Sequence, residues 1–261
     1  MNKVIDKNKL VTLIMLLVVG ITLLTLGIIF FNPIIEGIKE NFVSNNNFIE
    51  VLKGLLNTII ITIVSFIIGI IVGMIICLIQ GLEGDHPLII VLKNIAKFYV
   101  SIFRGTPLMV QLLIIYFVIF ASFRGDSIYI AIIAFGLNSG AYVSEILRGG
   151  ILSLPKGQME AGRSLGLTYP TTMRKIILPQ AIRNALPSLG NEFISLIKET
   201  SIVGFIGAFD LTLAFRKIAN DTFDFEMVYI VMGIIYFVII YIITVLLNKL
   251  ERRLLKNVKT K

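Results

Sequence analysis

Tryptophan is absent, cysteine and histidine occur once each, and charge is scarce. Only 15% of the 261 residues are charged, against 56% hydrophobic. A soluble chain carries roughly 25% charged residues, so the deficit excludes a water-soluble globular domain and leaves an integral membrane protein. Cys77 stands alone in an apolar run, which rules out an intrachain disulfide and implies no oxidising compartment. His86 has no cysteine neighbour and no paired carboxylates, so it reads as a loop residue rather than a metal ligand. An integral-membrane enzyme would need clustered nucleophiles, bases or metal ligands, and one His with one Cys argues against it. With no tryptophan, any interfacial aromatic belt must rest on tyrosine, helped by phenylalanine. No G-x-x-x-x-G-K-[ST] segment is present, so the chain is expected to bind neither ATP nor any other cofactor of its own. No internal repeat or low-complexity tract is visible.

Acid is also short, and the net charge is +8. No basic face with interleaved aromatics accompanies it, so nucleic acid is not an expected partner. In a membrane chain the excess marks cytoplasmic loops.

Lys3, Lys7 and Lys9 precede an uncharged run from Leu10 to Phe31. It is longer than the apolar core of a signal peptide and ends at Asn32-Pro33 without a small-residue cleavage site, so it reads as an uncleaved span. Asn32 to Lys53 is mixed in charge and reads as an external connection. Gly54 to Leu82 crosses next, with Thr58, Thr62, Ser65, Gly69 and Gly73 at helical spacing. Small residues so placed let helices pack closely. A third helix from about Ile89 to Ala121 is crossed by Arg104-Gly105-Thr106-Pro107, and Asp126 opens a fourth, which ends in Glu145 and Arg148. Those two residues, at i and i+3, suit a helix-end pair.

Gly149 to Pro187 is too polar and too often broken to cross a membrane, with Pro155, Pro170, Pro179 and Pro187 and, between them, Gly157, Gly162 and Gly166. Prolines at this spacing cut the segment into short helices. Ser153 is expected to cap the first, with Pro155 in its opening turn and Gly166 as its stop. Thr168 and Pro170 start a second, which Pro179 should end or kink. Arg148, Lys156, Arg163, Arg174, Lys175 and Arg183 place this loop in the cytoplasm. Lys249, Arg252, Arg253, Lys256, Lys259 and Lys261 place the C-terminus there too. One evident span, Met227 to Leu247, lies between, and one crossing cannot return the chain to the same side. Parity therefore requires a hidden span over Ser188 to Phe209, despite Glu192, Lys198 and Glu199. Both termini and Lys156–Arg183 are then cytoplasmic, and Glu36–Glu50 and Arg216–Asp224 external.

Glu160-Ala161-Gly162, with Gly166 and then Ile176-x-Leu178-Pro179, resembles the EAA loop of permease subunits in ATP-binding-cassette importers. The one departure is Gly162, where alanine is commoner. The run Leu178-Pro179-Gln180-Ala181-Ile182-Arg183, then Asn191-Glu192 and Lys198 to Ile202, is similar to the branch that imports polar amino acids. So is Arg104-Gly105-Thr106-Pro107-Leu108 with Gln111.

The resemblance implies an all-α integral membrane protein of about six transmembrane helices, a five-helix importer core plus an extra N-terminal helix. It would lie in the bacterial plasma membrane. Residues 1–50 would hold the extra helix and its external connection, 51–250 the importer domain and 251–261 a basic cytoplasmic tail. The implied function is that of a permease subunit in an ATP-driven amino-acid importer, paired with a second permease subunit, like or unlike. Separate ATPase subunits would hold ATP and Mg, and an extracellular binding protein would deliver substrate. The coupling loop would present Met159 and Leu165 as apolar contacts. Ala161, Gly162 and Gly166 would give close approach, and Glu160 and Arg163 orientation. Arg104, Thr106, Glu192, Lys198, Glu199, Thr200 and Ser201 are candidates for the substrate path, since intramembrane polar residues pair or face a cavity. A structural ion pair is the alternative for Lys198 and Glu199. The rival function is a secondary carrier driven by an ion gradient, which would have no use for a docking loop.

Overall fold

The computed structural model describes residues 7–44 and 46–256, and every regular element among them is helical. The order is α1 (Lys7–Ile38), α2 (Phe48–Gln80), α3 (Pro87–Gly105), α4 (Leu108–Ile114), α5 (Ser127–Leu152), α6 (Gly157–Ser164), α7 (Tyr169–Thr172), α8 (Leu178–Glu199), α9 (Leu211–Thr222) and α10 (Phe225–Lys256). Taken singly, α2, α5 and α10 are long and apolar enough to cross a membrane, and the bent pair of α3 with α4 adds a fourth crossing. The 32-residue α1, about 48 Å long at 1.5 Å per residue, and the charge-bearing α8 complete about six.

The centre is α5, two-thirds buried along its apolar window, whereas few residues of α10 are fully buried. It packs on α2 through the small residues seen in the sequence. A Cβ added at Gly69 would stand 2.8 Å from Ser139 Oγ, and one at Gly73 2.6 Å from Val143 Cγ1. Helices in lipid gain little from apolar contact as such, so backbone proximity supplies the dispersion that holds them. The hydroxyls on the same face are also used. Ser65 Oγ donates to Ile132 O (3.2 Å), Thr62 Oγ1 to Thr58 O (2.8 Å), and Thr58 Oγ1 accepts from Leu211 N (3.1 Å). This is a packing face.

Two apolar cores follow. Ile61, Leu112, Ile130, Phe135, Leu196 and Val203 join α2, α4, α5 and α8. Phe42, Val51, Leu211, Phe215 and Val228 join the end of the α1 region to α2, α9 and α10.

The N-terminal region departs from expectation. The α1 helix runs on past Asn32-Pro33 to Ile38 and continues as a π-helical turn over Lys39–Ser44. The broad external connection expected over 32–53 therefore shrinks to a few residues before Phe48. Tertiary contacts outweigh the hydrogen bond that Pro33 forfeits. Gly37 lies against Met227, Asn41 Nδ2 donates to Asp224 Oδ2 (2.7 Å), and the Phe42 ring meets that of Phe215. At the other end α10 continues helical to Lys256, so Lys249 to Lys256 belong to the same helix as the last span. Lys3, Lys259 and Lys261 lie outside the described residues.

The hidden span exists as a helix, with other bounds. The chain is helical from Tyr169, crosses α8 to Glu199, and tightens into a 3₁₀ helix over Thr200–Ile206 before Gly207 turns it at φ 74°. Pro179 does not end it. A π-helical turn over Met173–Ile177 widens the helix just ahead of the ring, where the missing N–H would otherwise leave a strained turn.

Candidate functional sites in the polar loop and the broken span

The α6 helix is held by three local devices. At its C-terminus Gly166 takes φ 79°, Gly166 N donates to Arg163 O (3.0 Å) and Leu167 N to Gly162 O (3.1 Å). That pair of bonds is a Schellman stop, and it needs a left-handed residue that glycine supplies without strain. Gly162 points inward, where a Cβ would stand 2.5 Å from Thr172 Cγ2. Thr172 itself is buried and its Oγ1 donates to Thr168 O (3.1 Å). Gln158 Nε2 donates to Gln180 Oε1 (3.1 Å) and Gln180 Nε2 donates back to Gln158 Oε1 (2.7 Å).

Several expectations change here. Ser153 does not cap α6. The α5 helix runs on to Leu152 and Ser153 is its C-cap, its Oγ donating to Gly150 O (2.7 Å) and accepting from Asn184 Nδ2 (2.8 Å). The start of α6 is therefore Gly157, after Pro155 rather than around it. Gly162 makes its close approach within the chain, against α7, and so is not free for a partner. The methyl of an alanine there would collide with Thr172. A Cβ added at Gly166 would meet nothing within 4 Å, so its role is backbone geometry and not a tight side-chain contact. Met159 is half-buried, while Glu160, Ala161, Arg163, Ser164 and Leu165 form the exposed face, Leu165 at 80%. No ion pair or side-chain hydrogen bond engages Glu160 or Arg163 among the described residues.

At the other site, α3 and α4 meet at 110° across Thr106-Pro107. Pro107 has no N–H for Phe103 O, its natural partner four residues back. Two buried amides take that carbonyl instead. Gln111 Nε2 lies 2.9 Å from Phe103 O, 2.9 Å from Thr106 O and 2.8 Å from Thr106 Oγ1. Asn138 Nδ2 donates to Phe103 O (3.1 Å) and to Gln111 Oε1 (2.8 Å). Asn138 was not legible as part of this site. The missing N–H signalled that a donor was needed, but not which helix would bring it.

Arg104 leaves the break in another direction. Its guanidinium sits over the Tyr142 ring, 5.4 Å from the centroid, and 3.4 Å from Glu145 Oε2. Arg148 holds the same carboxylate through Nη2 (2.6 Å) and Nε (3.1 Å). The helix-end pair is thus a triad of two cations on one anion, with net positive charge.

Glu192, on α8, accepts from Ser139 Oγ of α5 (2.8 Å). Lys198 is exposed and pairs with no carboxylate within 4 Å among the described residues, so the structural ion pair considered for Lys198 and Glu199 is not formed inside this chain. Thr200 is buried and donates to Ile197 O (2.7 Å), while Ser201 is half-buried. The seven candidate path residues therefore fall into separate places: Arg104 and Thr106 at the break, Glu192 against α5, and Lys198 to Ser201 where α8 tightens.

Comparison with known proteins agrees with this architecture. The family model described as binding-protein-dependent transport system inner membrane component matches residues 90–256. The arginine transport system permease protein of Bacillus subtilis is 42% identical over 165 residues, 62% of this chain and 75% of that protein. A putative glutamine transport system permease protein of Rickettsia typhi is 41% identical over 169 residues, 64% of this chain and 78% of that protein. A crystal structure of an amino acid ABC transporter with histidines superposes with a TM-score of 0.73 at 39% identity, over 81% of this chain and 98% of that one. An inward-facing methionine ABC transporter shares the fold, with a TM-score of 0.66 at 21% identity, over 78% of this chain and 95% of that one. A helical chain with its α5-centred core, broken third span and proline-bounded loop thus belongs to the multi-pass inner-membrane permease subunits of binding-protein-dependent ATP-binding-cassette importers, in the branch that serves amino acids.

Proposed function

We infer that this chain forms half of a translocation pathway for a polar amino acid and couples it to ATP hydrolysis on separate subunits. The observation that carries the reading is the exposed face of α6. An acid, a base and a large apolar side chain stand unpaired on a short helix whose opposite side is locked to its own chain. A motor subunit with a complementary groove would engage Glu160, Arg163 and Leu165, with Met159 at the rim and Ala161 allowing close approach. Gly162 and Gly166 shape the helix from within. ATP and Mg belong to that partner; a binding protein delivers the substrate from outside, and a second permease subunit, identical or related, completes the path. Both termini and the α6 loop face the cytoplasm in this arrangement, with Glu36–Glu50 and Arg216–Asp224 outside. Arg104, Thr106, Glu192, Lys198, Glu199, Thr200 and Ser201 are assigned to the path, the unpaired Lys198 foremost.

The test uses the complex reconstituted in vesicles. Glu160→Lys reverses the charge on the exposed face and should leave the chain inserted while ATPase subunits fail to co-purify and uptake is lost. Normal uptake in that variant would make α6 a passive connector. Single cysteines in a Cys77→Ser background check the orientation, and labelling near Lys256 from outside intact cells would overturn it. For the path, neutralising Lys198 should alter which amino acid is carried while assembly survives; an unchanged preference removes it from the path.

A further inference from the structure

Among the contacts that join α6 to the rest of its chain, two are of different kinds. Gly162 meets Thr172 of α7 by shape alone, which resists approach but not sliding. Gln158 meets Gln180 by a reciprocal amide pair, and Gln180 lies in the first turn of α8. Among the described residues no other side-chain hydrogen bond or ion pair joins α6 to α7 or α8. Gln180 Nε2 is also within 2.8 Å of Ile176 O, so the pair is anchored in the π-helical turn on which α8 stands. Both glutamines are half-buried.

A reciprocal amide pair fixes two parts in register, since each side supplies one donor and one acceptor. It also does so without charge, which suits the edge of a bilayer. The far end of the tie is a rigid element. The 22 residues of α8 reach about 33 Å, with Glu192 and Lys198 on the way. The foot of α8 is meanwhile pressed on α5, where a Cβ at Gly150 would stand 2.5 Å from Ala181 O, and Asn184 bonds Ser153. A push on α6 therefore has one polar route into a helix that carries candidate path residues.

We propose that Gln158 and Gln180 are the positioning residues that pass a displacement of α6 to α8, and so set how many amino acids move per ATP hydrolysed. This rests on the reading of α6 as the docking helix. Gln158 lies off the exposed face, so its loss should spare docking.

The full complex in vesicles, supplied with tritiated glutamine, arginine and cystine, distinguishes the possibilities. Gln158→Leu should keep the ATPase subunits bound and hydrolysing, yet carry about tenfold fewer amino acids per ATP, the scale of losing one or two net hydrogen bonds. Nitroxides at Lys156, which precedes α6 and is exposed, and at Arg183 should show a broader distance distribution in that variant. Gln158→Glu combined with Gln180→Lys replaces the amide pair by an ion pair over the same gap and should restore the ratio. An unchanged ratio in Gln158→Leu overturns the proposal. So does loss of the ATPase subunits on purification, which would make the pair part of the docking seat. Glu160→Lys, run alongside, separates the two readings. Normal uptake there sinks docking through α6, whereas lost uptake there with a normal ratio in Gln158→Leu sinks only the tie.

Discussion

The loop around α6 and the break between α3 and α4 are both made by proline, and they treat polar groups in opposite ways. At the break the freed carbonyls are tied inward where the amides reach them: Phe103 O is met by Gln111 and Asn138 and Thr106 O by Gln111, and no buried side-chain polar atom among the described residues lacks a partner. Around α6 the charged side chains turn outward, and Glu160 and Arg163 stay unpaired. The contrast follows from the surroundings. Hydrocarbon offers no hydrogen bond, so irregular backbone at membrane depth must be satisfied by protein. Water satisfies the loop, which leaves its side chains available for recognition.

Stripping the inward network should show the largest effect. Gln111→Leu with Asn138→Leu strips Phe103 O and Thr106 O of these side-chain donors and empties two buried amide sites, and we expect a loss of about 2–4 kcal/mol. Thermal unfolding in detergent and the yield of inserted chain would register it. A stable double variant would mean that the bend is held by apolar packing alone, and the contrast with the loop would lose its basis.

Gly162→Ala is the next in size. The added methyl meets Thr172 Cγ2 at 2.5 Å, and such overpacking costs typically about 1–3 kcal/mol. Thr172→Ala in the same chain removes the clashing methyl and should recover most of the lost uptake. Failure of the double variant to recover would break the link drawn between this glycine and that threonine.

Gly166 sharpens the comparison because open space surrounds it. The Cβ of a leucine there meets no neighbour within 4 Å, but the residue must adopt φ 79°, at about 1–2 kcal/mol. Asparagine tolerates that region better, so Gly166→Asn should retain more uptake than Gly166→Leu. Equal loss in both would point to a contact at this position instead of a backbone requirement. Smallest of all is Ser164→Ala on the exposed face, expected within about 0.5 kcal/mol in stability. A larger stability effect, read by the same unfolding assay, would show that this face is committed to the fold.

Much of this was legible in the chain itself. The small residues of α2 announced a close packing face, and Gly69 and Gly73 meet α5 as that spacing required. Charge parity demanded a span where hydropathy offered none, and α8 fills it. The EAA pattern located a short helix stopped at Gly166. Local rules failed where a neighbour in space decided the outcome. Pro33 sits within a helix because Asn41 and Phe42 are anchored on α9 and α10, and Pro179 is passed by a π-helical turn. Ser153 closes α5 instead of opening α6 because Gly150 and Asn184 are there to receive it.

Helix content, the number of crossings and the position of the polar loop were thus determined by the sequence alone, since hydropathy, charge and proline act through solvent and local backbone. Which amide satisfies which carbonyl, the sharing of Glu145 by two arginines, the inward turn of Gly162 and the pairing of Gln158 with Gln180 were decided only in the tertiary structure. Each joins residues from different helices or across an intervening loop. A linear pattern states that a polar group needs a partner, while the packing of helices chooses it.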